Sequence, residues 1–445
     1  MEIQSSNYKI SINKTIRQLL VLYFISLIFT YPYGIEIIND NFIRFPDLIA
    51  IAITSFSVSC WLLLGKSRLK IRPLLPILPF LILELLFPII GAFYYGSMSD
   101  SLSSARVLLL YLPVTICILK LGNVSAYKLD LKLEKLFKIA VIINLIYCII
   151  QLAVGMGLLP EFLLITNSLE SWAADSHFNQ LSGLRVSGFF VNVSALAAFG
   201  IITMSYFLAK FQVKKQGIYL VYLMTALLLI MLSTSRNAYI VAALIIFLSL
   251  ITSGIKRSFK LAITIIISVV LLIILLNLYL ELDYDVFFSR FIRVQEQGLE
   301  QDYSWSTRVE DVWPMVLSEL RKYPWGTFIP SFKVLGIIDS GYLTYYAQGK
   351  WIFIAGLVSS FVWILIASFR VKNSQKNWAV FFLRYLLVYI SPAMVVNNPM
   401  RSPFVIFALL YGLWFLSIDK QQFFKKSVPT YFLSARSSLS EVRGQ

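Results

Sequence analysis

The sequence predicts an all-α polytopic membrane protein, with about 12 transmembrane helices in a single membrane domain over residues 1–445. Three observations support this fold class. Hydrophobic residues make up 58% of the chain and charged residues only 14%, whereas soluble domains carry roughly a quarter charged residues. The mean hydropathy is +0.76. Apolar runs long enough to cross a bilayer recur along the chain, and most Lys and Arg residues fall between them.

A transmembrane helix needs roughly 20 mostly apolar residues, with about 17 as the lower limit. The first apolar run lacks a small-residue cleavage site and is followed by further runs, so we interpret it as a span. The candidate spans are about 18–35, 47–65, 73–95, 106–121, 139–159, 193–210, 217–233, 236–254, 261–280, 349–369, 378–396 and 403–418.

The distribution of positive charge predicts the orientation. About two thirds of the 39 Lys and Arg residues fall in one set of connections, which includes the Lys-rich segment 120–138 and both termini. The positive-inside rule places this set in the cytoplasm, so we predict an N-in, C-in topology. The net charge of +16 therefore does not indicate a nucleic-acid partner.

The opposite set of connections is rich in Arg rather than Lys. Arginine offers a rigid, permanently charged fork that matches phosphate oxygens, so this set favours an anionic ligand at the outer face. Pairing of each Arg with a nearby outer carboxylate is the alternative. The outer arginines include Arg44, Arg106, Arg185, Arg236, Arg290, Arg293, Arg308, Arg321 and Arg401.

Two outer connections are long, at 160–192 and 281–350. In the second, "TRVE" at Thr307–Glu310 matches a capping box, and apolar residues follow at helical spacing. We expect an amphipathic helix over about 307–322, lying on the membrane surface with Arg308 in its first turn.

Other outer arginines also precede predicted helix starts. Arg185 comes before a span that Asn192 or Ser194 would cap, and Arg236 opens the eighth span. Arg401 precedes Ser402 as a cap and Pro403 at the first helical position. This placement concentrates positive potential at one depth of the membrane.

Two charged residues, Glu84 and Arg384, lie near the middle of apolar runs. Each has to pair, bond to backbone or take part in a relay, because an isolated charge there is costly. The three Cys residues fall in apolar runs, and the single His is expected in a solvated loop. The chain contains no phosphate-binding loop motif for a nucleotide.

Three segments in order resemble the O-antigen polymerase and ligase superfamily: "LRVSGFFVNVSALAAF" from Leu184, "STSRNAYIVAALIIF" from Ser233, and "STRVEDVWPMVLSELRKYPWGTF" followed by "DSGYLTYYAQGKWIFIAGLV". The resemblance covers roughly 144–416. Ligases of the superfamily carry a His just before the "YL" segment, where this chain has Asp339. This difference favours a polymerase.

The resemblance implies a GT-C-like, metal-independent glycosyltransferase of the bacterial inner membrane that needs no cofactor. It would join polyprenyl-pyrophosphate-linked oligosaccharides into an O-antigen or similar polysaccharide at the outer face. Its partners would be these lipid-linked donors and acceptors, membrane lipid and a chain-length regulator protein, without nucleic acid. Two alternatives stay open: an O-antigen ligase, and a lipid-linked oligosaccharide flippase or other secondary transporter.

The residues expected at the site fall into two groups. The catalytic group would stabilise the leaving pyrophosphate or accept the acceptor proton, and consists of Arg236, Arg185, Arg308 and Asp339. In the substrate-binding group, Arg401 would bind phosphate, and Arg290 and Arg293 would bind the second pyrophosphate or simply cover the lipid interface. Glu310 is the second candidate for the base, after Asp339. The residues that would stack on sugars are Tyr342, Tyr345, Tyr346 and Trp325. The aromatic members could instead belong to an interfacial belt.

Overall fold

The computed structural model of the protein describes residues 2–30, 34–38, 41–64, 71–95, 111–119, 123–164, 185–190, 192–252, 255–280, 303–328, 335, 338–371 and 377–418. Across these residues the chain is almost entirely helical. One short hairpin joins strands β1 (Gly34–Ile38) and β2 (Asn41–Arg44), with Gly34 opposite Arg44.

The helices follow one another closely along the chain. They are α1 (Glu2–Phe29), α2 (Phe45–Leu64), α3 (Leu78–Tyr95), α4 (within 111–119), α5 (Asn123–Gly155), α6 (Val193–Lys214), α7 (Ile218–Leu232), α8 (Arg236–Thr252), α9 (Ile255–Leu280), α10 (Gly341–Phe369), α11 (Trp378–Val396) and α12 (Pro403–Leu416). Three short 3₁₀ segments, Arg72–Ile77, Glu161–Leu163 and Pro399–Arg401, lie beside them.

Six helices of the described chain are long and apolar enough to cross a membrane: Ile12–Phe29, Arg72–Tyr94, Ala126–Gly155, Val193–Lys214, Gly341–Phe369 and Trp378–Val396. Five shorter apolar helices accompany them. The expectation of a helical protein embedded in a membrane is therefore confirmed, while the count of about 12 spans stays a prediction. The first predicted span, about 18–35, extends too far at its C-terminal end. Helix α1 ends at Phe29, and residues 34–38 form β1.

Two helices form the centre of the bundle. Nearly every side chain of α6 is buried, and the same holds for α12. Because these side chains are buried on all sides, other helices surround both elements, whereas a peripheral span would leave one face to lipid. By contrast, α9 and α10 leave large apolar side chains exposed, including Ile266 and Trp351. These helices form the periphery, where lipid would cover them.

Buried ion pairs join α5 to α6. The Lys210 ammonium group contacts Asp130 at 2.9 Å and Glu134 at 3.3 Å. Glu134 also accepts hydrogen bonds from Lys138 at 3.0 Å and from Lys214 at 2.9 Å. We call this cluster, with Lys138, Lys210 and Lys214 as its cations, the lysine end of the bundle.

The lysine end corrects one prediction from the sequence. The Lys-rich segment up to Lys138 was expected to be a connection, but α5 runs unbroken from Asn123 to Gly155. Its acidic residues Asp130 and Glu134 lie one turn apart and face cations of α6. The pairing satisfies charges that would otherwise have to lie in a solvated loop.

A separate helical segment, which we call the loop helix (303–322), lies between α9 and α10 in the sequence. It consists of an α-helical turn at Tyr303–Ser306, a π-helical turn at Thr307–Val312, an α-helix at Trp313–Glu319 and a 3₁₀ turn at Leu320–Lys322. The predicted capping box at Thr307 is wrong, because the helix begins four residues earlier and passes through Thr307. The π-helical turn lies directly before Pro314, which cannot donate a regular helical hydrogen bond.

The loop helix is amphipathic, as expected. Val316 and Leu320 pack in a small cluster with Leu335, Ile338 and Ala347. Other apolar side chains of the loop helix, including Met315 and Leu317, are exposed. One face therefore binds the start of α10, and the other is available to the membrane surface.

Helix α10 is interrupted at Gly349 and Lys350, whose backbone angles are not helical. Its first eight residues, 341–348, form a separate helical piece, and the long apolar piece follows the break. The backbone of 326–328 satisfies the free carbonyl groups at this break: Thr327 donates to Ala347 and Phe328 to Gln348, both at 2.9 Å. The start of the predicted span at 349 coincides with this break, although the sequence did not predict the helical piece before it.

Candidate functional site

Arg185 belongs to residues 185–190, which are held tightly against α5 before α6 begins. Gln151 of α5 accepts hydrogen bonds from the backbone of Ser187 at 3.2 Å and of Gly188 at 2.8 Å. Gly188 has a φ of +61°, and an added Cβ would lie 2.8 Å from Asn144 Oδ1. Only glycine fits this position without strain. The "GFFVN" motif is therefore an anchored turn, and Asn192 caps α6 as predicted by accepting from Ala195 at 2.9 Å.

Arg236 begins α8 directly after a sharp turn. Helix α7 ends at Leu232, and Thr234 adopts a φ of +49°. The Arg185 Nε atom donates a hydrogen bond to Thr234 Oγ1 at 3.3 Å. This contact holds the side chain of Arg185 against the turn that carries Arg236. The N-terminus of α8, with its unsatisfied backbone N–H groups, adds positive potential at the same place.

Arg401 lies in the 3₁₀ turn before α12. It donates a hydrogen bond to Gln348 Oε1 at 3.1 Å, and its guanidinium lies 5.9 Å from the centre of the Tyr345 ring. The buried carboxyl group of Glu84 in α3 interacts electrostatically with Arg401. Pro403 occupies the first turn of α12 as predicted, but the Ser402 side chain makes no capping hydrogen bond.

Arg308 is paired with Asp339. Its Nε and Nη2 atoms lie 3.1 and 2.9 Å from Asp339 Oδ2. The structure thus brings two predicted site residues together as an ion pair. Glu310 is exposed in the same π-helical turn.

The segments that carry these arginines lie at one end of the bundle. Phe190 of the Arg185 loop contacts Phe199 of α6 with ring centres 5.1 Å apart, and Phe199 contacts Phe404 of α12 at 5.2 Å. Gly341 of α10, two residues after Asp339, donates to the Asn397 carbonyl at 3.0 Å. We call this end, with Arg185, Arg236, Arg308 and Arg401, the arginine end.

The predicted aromatic residues differ in accessibility. Trp325 is 66% exposed, whereas Tyr345 is fully buried and stacks on Phe353 with ring centres 4.8 Å apart. Tyr342 donates to the Ser391 carbonyl at 3.0 Å, and the Tyr346 ring lies beside Trp351. Trp325 therefore offers the most open ring face of the four.

Two charges inside apolar runs have identifiable neighbours. Arg384 donates to the side chain and the carbonyl of Ser368 and lies 4.0 Å from the Phe369 ring centre. Glu84 faces Arg401 and Tyr345. The involvement of Gln348, which accepts from Arg401, was not anticipated from the sequence, because Gln348 belongs to no charge or aromatic pattern.

Some predicted residues cannot be placed. Arg290 and Arg293 lie outside the described residues, as do Arg106 and His177. Within the described part of the chain, no group of three or more His, Cys, Asp or Glu residues is arranged to hold a metal ion.

No protein-family model matches the sequence. No curated protein matches it either.

Proposed function

We propose that the protein polymerises polyprenyl-pyrophosphate-linked oligosaccharide repeat units at the outer face of the bacterial cytoplasmic membrane. The observation that carries this proposal is the contact between Arg185 and the Thr234 turn, which brings two arginine-bearing loops together at the N-terminus of α8. Forked cations beside a helix N-terminus match the oxygens of a diphosphate.

In the proposed reaction, the bond between the anomeric carbon of the growing chain and its diphosphate oxygen breaks. A hydroxyl group of the incoming repeat unit forms the new glycosidic bond to that carbon and gives up its proton. The bonding electrons stay with the lipid diphosphate, which leaves with additional negative charge. Arg185 and Arg236 would stabilise this charge, and one preorganised donor of this kind is typically worth about 2.7–4 kcal/mol.

Arg401 and the pair of Arg308 and Asp339 have further roles in this proposal. Arg401 would bind the diphosphate from the α12 side, since its present acceptor is the neutral Gln348. Asp339 would accept the acceptor proton, and Arg308 would hold its carboxylate in position. The exposed ring of Trp325 would stack on a sugar.

Reconstitution tests the proposed activity. We would incorporate the purified protein into liposomes and add polyprenyl-pyrophosphate-linked repeat units without an energy source. Longer lipid-linked chains are the expected product, analysed by gel electrophoresis and mass spectrometry. Redistribution of unchanged repeat units across the bilayer, without longer chains, would instead identify a carrier.

A deletion strain separates the polymerase from the ligase. A strain without a polymerase keeps single lipid-linked repeat units, whereas a strain without a ligase still contains lipid-linked polymer. We expect single repeat units only. Lipid-linked polymer in the deletion strain would contradict the proposal.

A further inference from the structure

The interior of the arginine end contains several polar atoms that lack a hydrogen-bond partner. Glu84 Oε1, Tyr345 Oη, Arg401 Nε and both side-chain polar atoms of Asn398 are buried in this way. Glu84 is only 2% exposed and Tyr345 is fully buried. Buried polar groups are normally paired, because leaving one unpaired costs about 1–3 kcal/mol. Their concentration at one place therefore indicates that something else bonds to them.

These atoms belong to one cluster. The Glu84 carboxyl group interacts with Arg401 and with the Tyr345 hydroxyl, although neither Glu84 Oε1 nor Tyr345 Oη makes a hydrogen bond of ordinary geometry. Arg401 also bonds Gln348, the last residue before the break in α10. Asn398 begins the 3₁₀ turn that carries Arg401. We call Glu84, Tyr345, Gln348, Asn398 and Arg401 the interior polar cluster.

The composition of the interior polar cluster defines the chemistry of its ligand. The opposite charges of Arg401 and Glu84 lie close together, so neither a metal cation nor an anion is favoured directly beside Glu84. The unpartnered atoms include both donors and acceptors, namely an amide, a phenol, a guanidinium N–H and a carboxylate oxygen. A neutral ligand with several hydroxyl groups would satisfy both kinds.

The cluster includes the 3₁₀ turn that carries Arg401, a residue of the proposed diphosphate site. In this segment Asn398 and Arg401 are half-buried and Asn397 is exposed. Interrupted helices in membrane proteins are stable where other backbone or a ligand satisfies the free groups, and such breaks commonly line binding sites. The break at Gly349 and Lys350 lies next to this cluster.

We propose that the interior polar cluster binds hydroxyl groups of a saccharide, with Glu84 as the main acceptor and Tyr345 as a second contact. This inference rests on the proposed function, which places a lipid-linked saccharide at the arginine end. It adds a specific role for Glu84: recognition of the sugar next to the diphosphate.

Binding measurements on the purified full-length protein test this inference. The first probe is the polyprenyl-pyrophosphate saccharide extracted from the deletion strain, and the second is polyprenyl pyrophosphate without sugar. We would compare wild type, Glu84→Gln and Tyr345→Phe. Tyr385→Phe is the matched control, since the Tyr385 hydroxyl is also buried and unpartnered but is not part of the cluster.

Wild type is expected to bind the saccharide carrier more tightly than the bare carrier. Glu84→Gln should weaken binding of the saccharide carrier about 10- to 100-fold, because it replaces a charge-assisted hydrogen bond by a neutral one. Tyr345→Phe should weaken it less, and binding of the bare carrier should stay unchanged in both variants. Tyr385→Phe should behave as wild type.

Other results would overturn the inference. If wild type binds both carriers equally, or if Glu84→Gln keeps the preference, ordered water fills the cluster and no sugar binds there. If Glu84→Gln weakens the binding of both carriers equally, Glu84 has a structural role. If Glu84→Gln does not fold, an unchanged preference in Tyr345→Phe decides against the site. Wild type that binds neither carrier would remove the proposed function as well.

Discussion

The arginines of the arginine end differ in the groups that their side chains contact. Arg185 donates to the hydroxyl of Thr234, and Arg401 donates to the amide of Gln348. Arg308 instead bonds to a carboxylate. A diphosphate would displace a neutral acceptor far more easily than a carboxylate, because charge-assisted hydrogen bonds are roughly twice as strong. The contacts of Arg185 with Thr234 and of Arg401 with Gln348 are therefore easier to exchange for a diphosphate than the ion pair of Arg308 with Asp339.

Arg236→Lys keeps the charge at the start of α8 and removes the fork. We expect long polymer to disappear and single repeat units to remain, at an unchanged level of protein in the membrane. Glycan gels and an immunoblot measure the two quantities. Arg384→Lys is the control, since Arg384 bonds to Ser368 and Phe369 and belongs to no proposed site. Full-length polymer from Arg236→Lys would refute bidentate recognition of phosphate.

Asp339→Asn tests the proposed proton acceptor. The pair with Arg308 is largely exposed, so its loss should change stability by no more than about 1 kcal/mol. We expect turnover to fall at least about 10-fold, because general-base catalysis typically contributes about 100-fold or more. Binding of the lipid-linked saccharide should stay close to that of wild type. The initial rate of chain growth and the affinity are measured separately.

The control for this variant is Asp311→Asn, which changes an exposed carboxylate of the loop helix outside the predicted site. It should leave turnover unchanged. Asp339→Asn with full turnover would show that Asp339 only holds Arg308.

At the scale of elements, the break in α10 depends on the segment that caps it. Gly326 has a φ of +97°, and an added Cβ would lie 2.6 Å from the Gln348 carbonyl oxygen. The two hydrogen bonds from Thr327 and Phe328 follow directly. Gly326 therefore allows the chain to approach the break closely enough to satisfy its carbonyl groups.

Gly326→Ala should lower the apparent melting temperature of the purified protein more than two matched variants do. Gly157→Ala shares the positive φ of +73° but would meet nothing within 4 Å, so it should show only the strain of about 1–2 kcal/mol. Gly217 has neither a positive φ nor a close neighbour, so the Gly217→Ala variant should have the melting temperature of wild type. Equal melting of all three variants would mean that the 326–328 segment does not support the break.

Local signals in the sequence predicted several element boundaries. Asn192 caps α6 and Arg236 opens α8, because each boundary depends on residues within one turn. The break at Gly349 and Lys350 was not predicted, since the 326–328 segment that supports it lies about 20 residues earlier. The helical part of the Lys-rich segment could not be predicted, since its acidic residues find their partners 80 positions away in α6. The same limit applies to the interior polar cluster, whose members come from three distant segments.

At the scale of the whole molecule, the lysine end and the arginine end contain different cations. Lys138, Lys210 and Lys214 pair with carboxylates at the lysine end, whereas Arg185, Arg236, Arg308 and Arg401 lie at the arginine end. The positive-inside rule predicts that the lysine end faces the cytoplasm. The proposed reaction then takes place on the outer side.

Cysteine labelling tests this orientation. In a variant whose three native Cys residues are replaced, we would introduce Ser318→Cys in the loop helix and Gln216→Cys between α6 and α7, both exposed positions. A membrane-impermeant maleimide should label position 318 in intact spheroplasts and position 216 only after permeabilisation. The reverse pattern would place the arginine end in the cytoplasm and exclude the proposed site.

The ion pair between Lys210 and Asp130 also bears on how the chain enters the bilayer. Synthesis proceeds from the N-terminus, so α5 leaves the ribosome before its cation has been made, 80 residues later. Until then the Asp130 carboxylate lacks the Lys210 ammonium group that pairs with it in the folded bundle. We therefore expect the insertion machinery to retain α5 until α6 arrives, and to release the two helices into lipid together.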